Sequence, residues 1–247
     1  MKFITLGSSS AGNGYLLQSS TGETLVIEAG IKLIEAKRYV DFDLSKIPGV
    51  IVSHSHNDHS GRLDEYQKAG INCYVNEQTR QSRFGGRFYH NVKKLKTKVV
   101  YDIGTFRVQP FELKHDVMNF GYLINHPESG LFCFITDTHY CPYKFPGLNN
   151  ILVECNYSDA IVEKKLLEGT GNMFVRNRVL TSHMELDTTM GFLKANDLSK
   201  VNNIVLLHLS DGNSNSDLFR KKIQDLTGKS VFVAQSGLNI EFNKQPF

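Results

Sequence analysis

Three histidines and one aspartate fall within six positions of the chain, directly after a short apolar segment. His54, His56, Asp58 and His59 stand in the run Ser-His-Ser-His-Asn-Asp-His-Ser, which follows Gly-Val-Ile-Val. Imidazole and carboxylate groups are the ligands that zinc and similar divalent ions prefer. Alternate side chains at a strand end point the same way, so His54 and His56 can face one ion together. The spacing predicts a metal site, and its surplus of donors favours a pair of metals.

The segments around this loop alternate between strand-like and helix-like patterns. Short apolar runs bounded by turn residues predict strands in both halves of the chain, and the final segment predicts a pair of strands. Blocks of strands with interspersed helices favour two sheets with outer helices over a single parallel sheet. Without a linker or repeat, residues 1–247 are expected to form one domain. Helices are expected at 31–40, 61–69, 159–168, 187–197 and 216–226, and the final strand pair at 230–242.

Composition and charge exclude several classes of protein. The 247 residues include 28 Lys+Arg and 25 Asp+Glu, a net charge of +3, which argues against a strongly basic coat protein. The N-terminal apolar run ends at Gly7, and no stretch reaches the length of a membrane span. Cys133 and Cys155 lie in apolar runs, where buried and inert thiols are expected. We therefore expect a protein of the reducing cytosol, with no membrane partner.

The HxHxDH spacing after an apolar strand resembles the metallo-β-lactamase superfamily. That superfamily carries a later histidine, an aspartate at a strand end and a last histidine at a late strand end. His115, Asp137 and His208 stand in the segments Phe-Glu-Leu-Lys-His-Asp, Phe-Ile-Thr-Asp-Thr and Val-Leu-Leu-His-Leu-Ser. The resemblance covers nearly the whole chain and implies an αββα sandwich, an α/β fold of two mixed sheets with outer helices.

The resemblance also implies how the ligands are shared between two divalent ions, either Zn²⁺ or Mn²⁺. One ion is expected on three histidines, and the other on two histidines and an aspartate, with a second aspartate bridging them. In this chain the first set is His54, His56 and His115, the second is Asp58, His59 and His208, and the bridge is Asp137.

Two further residues resemble a pair found in the RNase Z-like nuclease branch of the superfamily. Glu154 follows the apolar run Asn-Ile-Leu-Val, and His183 precedes the helix expected at 187–197. A carboxylate beside an imidazole favours the protonated ring, which can bind a phosphate oxygen or protonate a leaving alkoxide. The branch thus implies catalytic roles for Glu154 and His183, beside Asp58 as a proton acceptor.

Within that branch the chain resembles the WalJ (YycJ)-like exonucleases, which also implies a homodimer. The shared motifs are Gly-Ser-Ser-Ser-Ala-Gly-Asn at 7–13, Thr-Asp-Thr at 136–138, and His-Leu-Ser at 208–210 before an Asn-rich loop. The chain departs from the pattern at Glu28, where an aspartate is usual, and at His139, where glycine is common. Neither residue is expected to touch the predicted ligands.

Residues 80–98 carry seven cations, no acid and several aromatic side chains. They predict a flexible basic loop that could hold a nucleic-acid backbone, bind one nucleotide, or complete the site of a partner subunit. A solvated loop that protects a sheet edge is an equally good interpretation. The candidate substrate contacts are Arg83 and Arg87 here, and Ser210 and Asn213 near the Asn-rich loop.

These residues favour a binuclear phosphodiesterase that uses a metal-activated hydroxide, most simply a nuclease acting on single-stranded ends. A phosphodiesterase for small cyclic nucleotides, similar to phage anti-defence enzymes of this fold, is the alternative. A glyoxalase-like thioester hydrolase would instead use His183 as a ligand and leave His208 incidental. A degenerate binding module fits poorly, because no expected ligand is missing.

Overall fold

A computed structural model describes residues 1–170 and 180–245. In these residues the strands form two seven-stranded sheets. The strands are β1 (Lys2–Ser9), β2 (Gly12–Gln18), β3 (Thr24–Ile27), β4 (Val50–Val52), β5 (Cys73–Val75), β6 (Val92–Lys94), β7 (Tyr101–Ile103), β8 (Phe106–Leu113), β9 (Asn119–His126), β10 (Gly130–Ile135), β11 (Asn150–Glu154), β12 (Asn203–Leu207), β13 (Ser230–Val233) and β14 (Asn239–Glu241). The helices are α1 (Leu33–Arg38), α2 (Asn57–Ser60), α3 (Leu63–Lys68), α4 (Glu77–Phe84), α5 (Asp159–Leu167), α6 (Leu186–Ala195) and α7 (Ser216–Thr227), with a 3₁₀ turn at Leu44–Lys46.

Both sheets mix antiparallel and parallel strands. The first has the order β14-β1-β2-β3-β4-β5-β6, antiparallel from β14 to β3 and parallel from β3 to β6. The second has the order β13-β12-β11-β10-β9-β8-β7, antiparallel from β7 to β10 and parallel from β10 to β13. Parallel neighbours end at the same edge of a sheet, so the loops after β10, β11 and β12 meet there.

The apolar residues form three layers of core, as the predicted sandwich requires. Phe3 and Tyr15 of the first sheet pack in one cluster with Phe132 and Phe134 of the second. A second cluster joins the outer face of the second sheet to α6 and α7, and a third joins the first sheet to α1, α3 and α4. Two sheets face to face with helices outside them confirm the predicted αββα fold.

Two predictions about the secondary structure are wrong. The basic segment 80–98 is not a flexible loop, because it contains the end of α4 and all of β6. Asn76 caps α4 through Thr79, but the helix buries only Thr79 and Phe84, so its sequence lacks an apolar period. The final strands do not pair with each other: β13 pairs with β12 and β14 pairs with β1.

The cysteines agree with the sequence prediction. Cys73, Cys133, Cys141 and Cys155 are all free and buried. Burial raises the pKa of the Cys73 thiol to about 12, so it stays protonated and unreactive at neutral pH. Among residues 1–170 and 180–245, no helix has the length and apolar character needed to cross a membrane.

The packing between the sheets predicts a large cost for deleting a central ring. Phe134 is fully buried, and its ring centroid lies 5.7 Å from that of Tyr15 in the opposite sheet. We expect Phe134→Ala to lower the free energy of unfolding by about 3–5 kcal/mol, measured by urea denaturation. Phe88→Ala removes the same atoms from a side chain that is 90% exposed, and it should change stability by less than about 0.5 kcal/mol. Equal effects of the two changes would contradict the assigned core.

Candidate metal centre

The loop after β4 presents the first histidines at the edge of the first sheet. His54 follows the strand after one residue, and its Nδ1 atom lies 2.9 Å from the Ser53 hydroxyl oxygen. His56 stands at the N-cap of the one-turn helix α2, which carries Asp58 and His59. His56 has an extended backbone, and the helical turn begins directly after it. His54 and His56 therefore face one direction and Asp58 and His59 another, as the spacing predicts.

Three imidazoles converge on one side of this loop. His54 Nε2 lies 3.0 Å from His56 Nδ1, and His115 Nε2 lies 3.3 Å from the same nitrogen. Asp137 Oδ2 completes the group, 3.7 Å from His54 Nε2 and 3.9 Å from His115 Nε2. One donor atom from each of these four residues can be chosen so that all lie within 4.8 Å of one another.

A second group of donors shares Asp137 with the first. His59 Nε2 lies 3.2 Å from Asp58 Oδ2 and 3.3 Å from Asp137 Oδ2. His208 Nε2 lies 3.4 Å from the same Asp58 oxygen, and His208 Nδ1 lies 3.5 Å from Asp137 Oδ1. The fold therefore brings all seven residues together in the two sets expected from the resemblance, with Asp137 in both.

The donor set fits divalent metal ions. Nitrogens bound at about 2.0–2.1 Å in a tetrahedron lie about 3.3–3.4 Å apart, close to the spacing of the three imidazoles. Burial lowers the pKa of His54 and of His115, so both rings are neutral and offer lone pairs. Burial opposes protonation of His59 and His208 as well, but the surrounding carboxylates, with Asp137 the strongest, together outweigh it and raise the pKa of both rings. The negative field that draws protons to these two rings also attracts a cation.

Two of the donor residues adopt a backbone conformation that few residues tolerate. Asp137 has φ of 50° and His208 has φ of 53°, both in the left-handed region. Each lies just beyond a parallel strand, β10 or β12, where this turn directs the side chain to the edge of the sheet. Such positions cost about 1–3 kcal/mol each and concentrate at functional sites. Asn119 supports the first turn by donating to the Thr136 and Asp137 carbonyl oxygens.

Glu28 contradicts the expectation that it lies away from the ligands. It is fully buried, also has a positive φ of 66°, and its Oε2 lies 3.5 Å from His59 Nδ1. Burial raises the pKa of Glu28, while the neighbouring His59 opposes the rise. A carboxylate behind a ligand histidine orients the ring and raises its basicity. Thirty-one positions separate Glu28 from His59, so no local pattern could reveal the contact.

Glu154 and His183 form a tight pair at the border of the second group. Glu154 Oε1 lies 2.6 Å from His183 Nδ1 and 3.4 Å from His208 Nδ1. The other carboxylate oxygen accepts from the backbone amides of Thr138 and Met184, which fix its orientation. The pair predicted from the sequence is therefore present, and the His183 and His208 ring centroids are 5.2 Å apart.

Among the residues that contact the predicted ligands, sequence reasoning missed several, of which three are Asn13, Asp116 and Ser53. Asn13 Nδ2 lies 3.0 Å from His59 Nε2 and 3.2 Å from Asp58 Oδ2. Asp116 Oδ1 lies 3.0 Å from His115 Nε2, and its position directly after His115 was the available signal. The third, Ser53, was visible only as the serine before His54.

The candidate substrate contacts lie in different surroundings. Ser210 lines a cavity of about 620 Å³ that begins beside His208, whereas Asn213 accepts a backbone hydrogen bond from Ser158. Arg83 donates to the Ser55 carbonyl and to Asn57, so it holds the loop at 53–60, here called the histidine loop. Arg87 is exposed. A second cavity, of about 670 Å³, opens beside His115, and the exposed His139 lines it. Substrate contact by these residues stays a prediction.

Buried imidazoles and carboxylates that converge at the edge of an αββα sandwich define a metal-dependent hydrolase. The chain belongs to the metallo-β-lactamase superfamily, whose sequence profile matches residues 9–140, more than half of the chain. This matched region contains the HxHxDH loop, His115 and Asp137, whereas Glu154, His183 and His208 lie beyond it. A comparison with curated proteins returned no match.

Solved structures with the same fold include several superfamily proteins. The metallo-β-lactamase fold protein YhfI from Bacillus subtilis has a TM-score of 0.74 at 19% identity, over 97% of this chain and 98% of that one. A diphosphatase from the PhnP family has a TM-score of 0.66 at 15% identity, over 97% and 96%. The short form of human tRNase Z (ELAC1) has a TM-score of 0.63 at 15% identity, over 98% and 99%. At these identities the likeness establishes the fold alone.

The shared position of Asp137 predicts how metal content responds to substitution. Purified wild-type protein should hold about two divalent ions per chain by elemental analysis, because each donor group fits one ion. Asp137→Asn should reduce both sites, leaving less than about one ion, whereas His56→Ala should reduce only the first site. His90→Ala removes an exposed histidine outside both groups and should leave the metal content unchanged. Equal metal content in Asp137→Asn and wild type would contradict the shared ligand.

Proposed function

We propose that this hydrolase is a binuclear phosphodiesterase that acts as a nuclease on the ends of single-stranded nucleic acid. The observation that carries the proposal is the Glu154–His183 pair, 2.6 Å apart, at the border of the metal-binding groups. A thioester or β-lactam needs only polarisation of its carbonyl group, so a fixed imidazolium would be surplus there. A phosphodiester with an alkoxide leaving group needs a proton donor.

His183 is placed to supply that proton. Burial opposes its protonation, but the carboxylates of Glu154 and, to a smaller extent, Asp137 together outweigh burial and raise the pKa of the ring. Because Glu154 accepts from Nδ1, the other ring nitrogen, Nε2, which bonds to none of the described residues, can donate to a leaving oxygen. His183 is 13% exposed, so a substrate in the cleft can reach it.

The remaining roles follow from the donor groups. His54, His56 and His115 would hold one ion, Asp58, His59 and His208 the other, and Asp137 both. When bound, such ions neutralise charge on phosphoryl oxygens and lower the pKa of water. Asp58 is 18% exposed, more than Asp137, and is placed to accept a proton from the attacking water.

The structural neighbours and the cavities support phosphate chemistry. One neighbour is described as a tRNase Z and another as a diphosphatase. The cavities of about 620 and 670 Å³, beside His208 and His115, each have room for a nucleoside. Cavities of this size also suit a small cyclic nucleotide, and opening of such rings is our second candidate function. Zn²⁺ and Mn²⁺ are the candidate metals, and we propose a homodimer in a reducing cytosol, where free thiols persist.

One hydrolysis panel separates the candidate functions. Purified protein with Mn²⁺ or Zn²⁺ would receive 5′-phosphorylated single-stranded DNA and RNA, cyclic mononucleotides and a glutathione thioester. We expect the oligonucleotides to be shortened from an end, with no activity in the His56→Ala/Asp58→Ala double variant. Opening of cyclic nucleotides with intact oligonucleotides would instead establish the second candidate, and cleavage of the thioester alone would refute both.

The proton-donor role of His183 predicts a dependence on the leaving group. His183→Ala should lower kcat on an oligonucleotide by about 10²–10⁴-fold, because an alkoxide leaves poorly without a proton. On bis(p-nitrophenyl) phosphate the loss should be below about tenfold, since p-nitrophenolate leaves unprotonated. Equal losses on both substrates, measured with unchanged metal content, would show that His183 does not protonate the leaving group.

A further inference from the structure

The turn between α4 and β6 holds one large apolar side chain in water. Phe88 is 90% exposed, whereas the ring of its neighbour Tyr89 packs on Phe84 with centroids 5.4 Å apart. The Arg87 amide donates to the Phe84 carbonyl oxygen, and the buried Asn91 side chain donates to two backbone carbonyl groups. The turn is therefore anchored at both ends, and Phe88 is directed outward by a fixed backbone.

The cations around this turn are only partly paired. Residues 78–101 contain no acidic residue. Arg80 and Lys94 both bind Glu77, at 2.7 and 3.0 Å, and Arg83 binds the histidine loop. The other cations of this segment form no ion pair with any described residue; they are Arg87, Lys93, Lys96 and Lys98. The segment that contains the exposed ring thus carries a net positive charge that no acid within it balances.

Arg83 connects this segment to the metal centre, although the turn itself precedes β6 and so lies at the opposite end of the parallel strands from the loop that carries the histidines. Arg83 donates to the Ser55 carbonyl oxygen and to Asn57 Oδ1, and these two residues flank His56. Phe88 follows Arg83 by five residues, which span at most about 18 Å when fully extended. The chain turns between them at Gly85 and Gly86, both with positive φ, so the actual separation is shorter.

We infer that the turn 85–91 is a second binding site for single-stranded nucleic acid, with Phe88 stacking on a base and Arg87 binding a phosphate. Exposed aromatic rings among cations bind single strands because every base has a face to stack and every linkage has a charge. The inference rests on the proposed nuclease function and restricts its substrate to a polymer. A cyclic mononucleotide held at the metals has no continuing strand to occupy this turn.

The test compares a polymer with a small diester in the same variants. For each one, kcat/KM is measured on a 12-nucleotide single strand and on bis(p-nitrophenyl) phosphate. We expect Phe88→Ala to lower the ratio of the two values about 5- to 150-fold, and Phe88→Tyr to keep it within about twofold. Phe42→Ala is the matched control, because Phe42 is 60% exposed and the nearby cation Lys46 is paired with Asp41.

Binding provides a readout that is independent of turnover. In a His183→Ala background, anisotropy of the labelled strand at several salt concentrations gives the slope of log affinity against log salt. Arg87→Ala should reduce the magnitude of that slope by about 0.7, the value for one phosphate contact on a single strand. An unchanged slope would exclude Arg87 as a phosphate contact.

The outcomes separate failure of this inference from failure of the proposed function. If wild-type protein leaves every oligonucleotide intact, the nuclease proposal fails. If it shortens oligonucleotides and Phe88→Ala behaves like Phe42→Ala, only the inference about the turn fails. Sedimentation of wild type and Phe88→Ala tests the remaining possibility, because loss of a dimer in the variant would assign the turn to a subunit contact instead.

Discussion

The buried carboxylate of Asp137 is the constraint on which the rest of the site depends. Its side chain is 3% exposed, and a charge buried so deeply costs several kcal/mol unless it is compensated. Four imidazoles face it at 3.3–3.9 Å, from His54, His59, His115 and His208. Neutral rings alone cannot balance a carboxylate, so the cluster must take up either protons or metal cations. The five histidines and two aspartates of this cluster, together with the neighbouring His183, are therefore best understood as one charge-balanced unit.

The topology of the two sheets supplies the geometry that this unit requires. β10, β11 and β12 are parallel neighbours, and Asp137, Glu154 and His208 stand at or just beyond their carboxyl ends. The first sheet contributes the histidine loop through β4, and Tyr122 of the second sheet donates to the carbonyl oxygen at the end of that strand. Sites in α/β folds recur at the carboxyl ends of parallel strands, where loops are free to vary while the strands stay fixed.

The sequence predicted those parts of the site that are encoded locally or by motif. The HxHxDH loop was predicted from its short-range spacing, whereas the αββα fold and the Glu154–His183 pair were implied by the family resemblance that this motif and the later strand ends carry. The basic segment was misread because α4 is amphipathic only weakly and β6 is a three-residue edge strand with two lysines. Glu28, which reaches His59 at 3.5 Å, was misplaced because that contact exists only after β3 and β4 pair. Contacts between residues so far apart in the sequence leave no periodic pattern from which they could be predicted.

The left-handed conformations of Asp137 and His208 reduce the stability of the fold at two positions whose side chains the site requires. Glycine would adopt the same φ without steric cost, and its substitution at compatible positions relieves strain in the folded chain. Each of these side chains is nevertheless part of a group of donors that could hold a metal ion, and glycine supplies no donor. Directed evolution that scored only heat resistance would thus tend to erase the metal centre, and any stabilised form of this hydrolase would have to draw its extra stability from elsewhere in the sandwich.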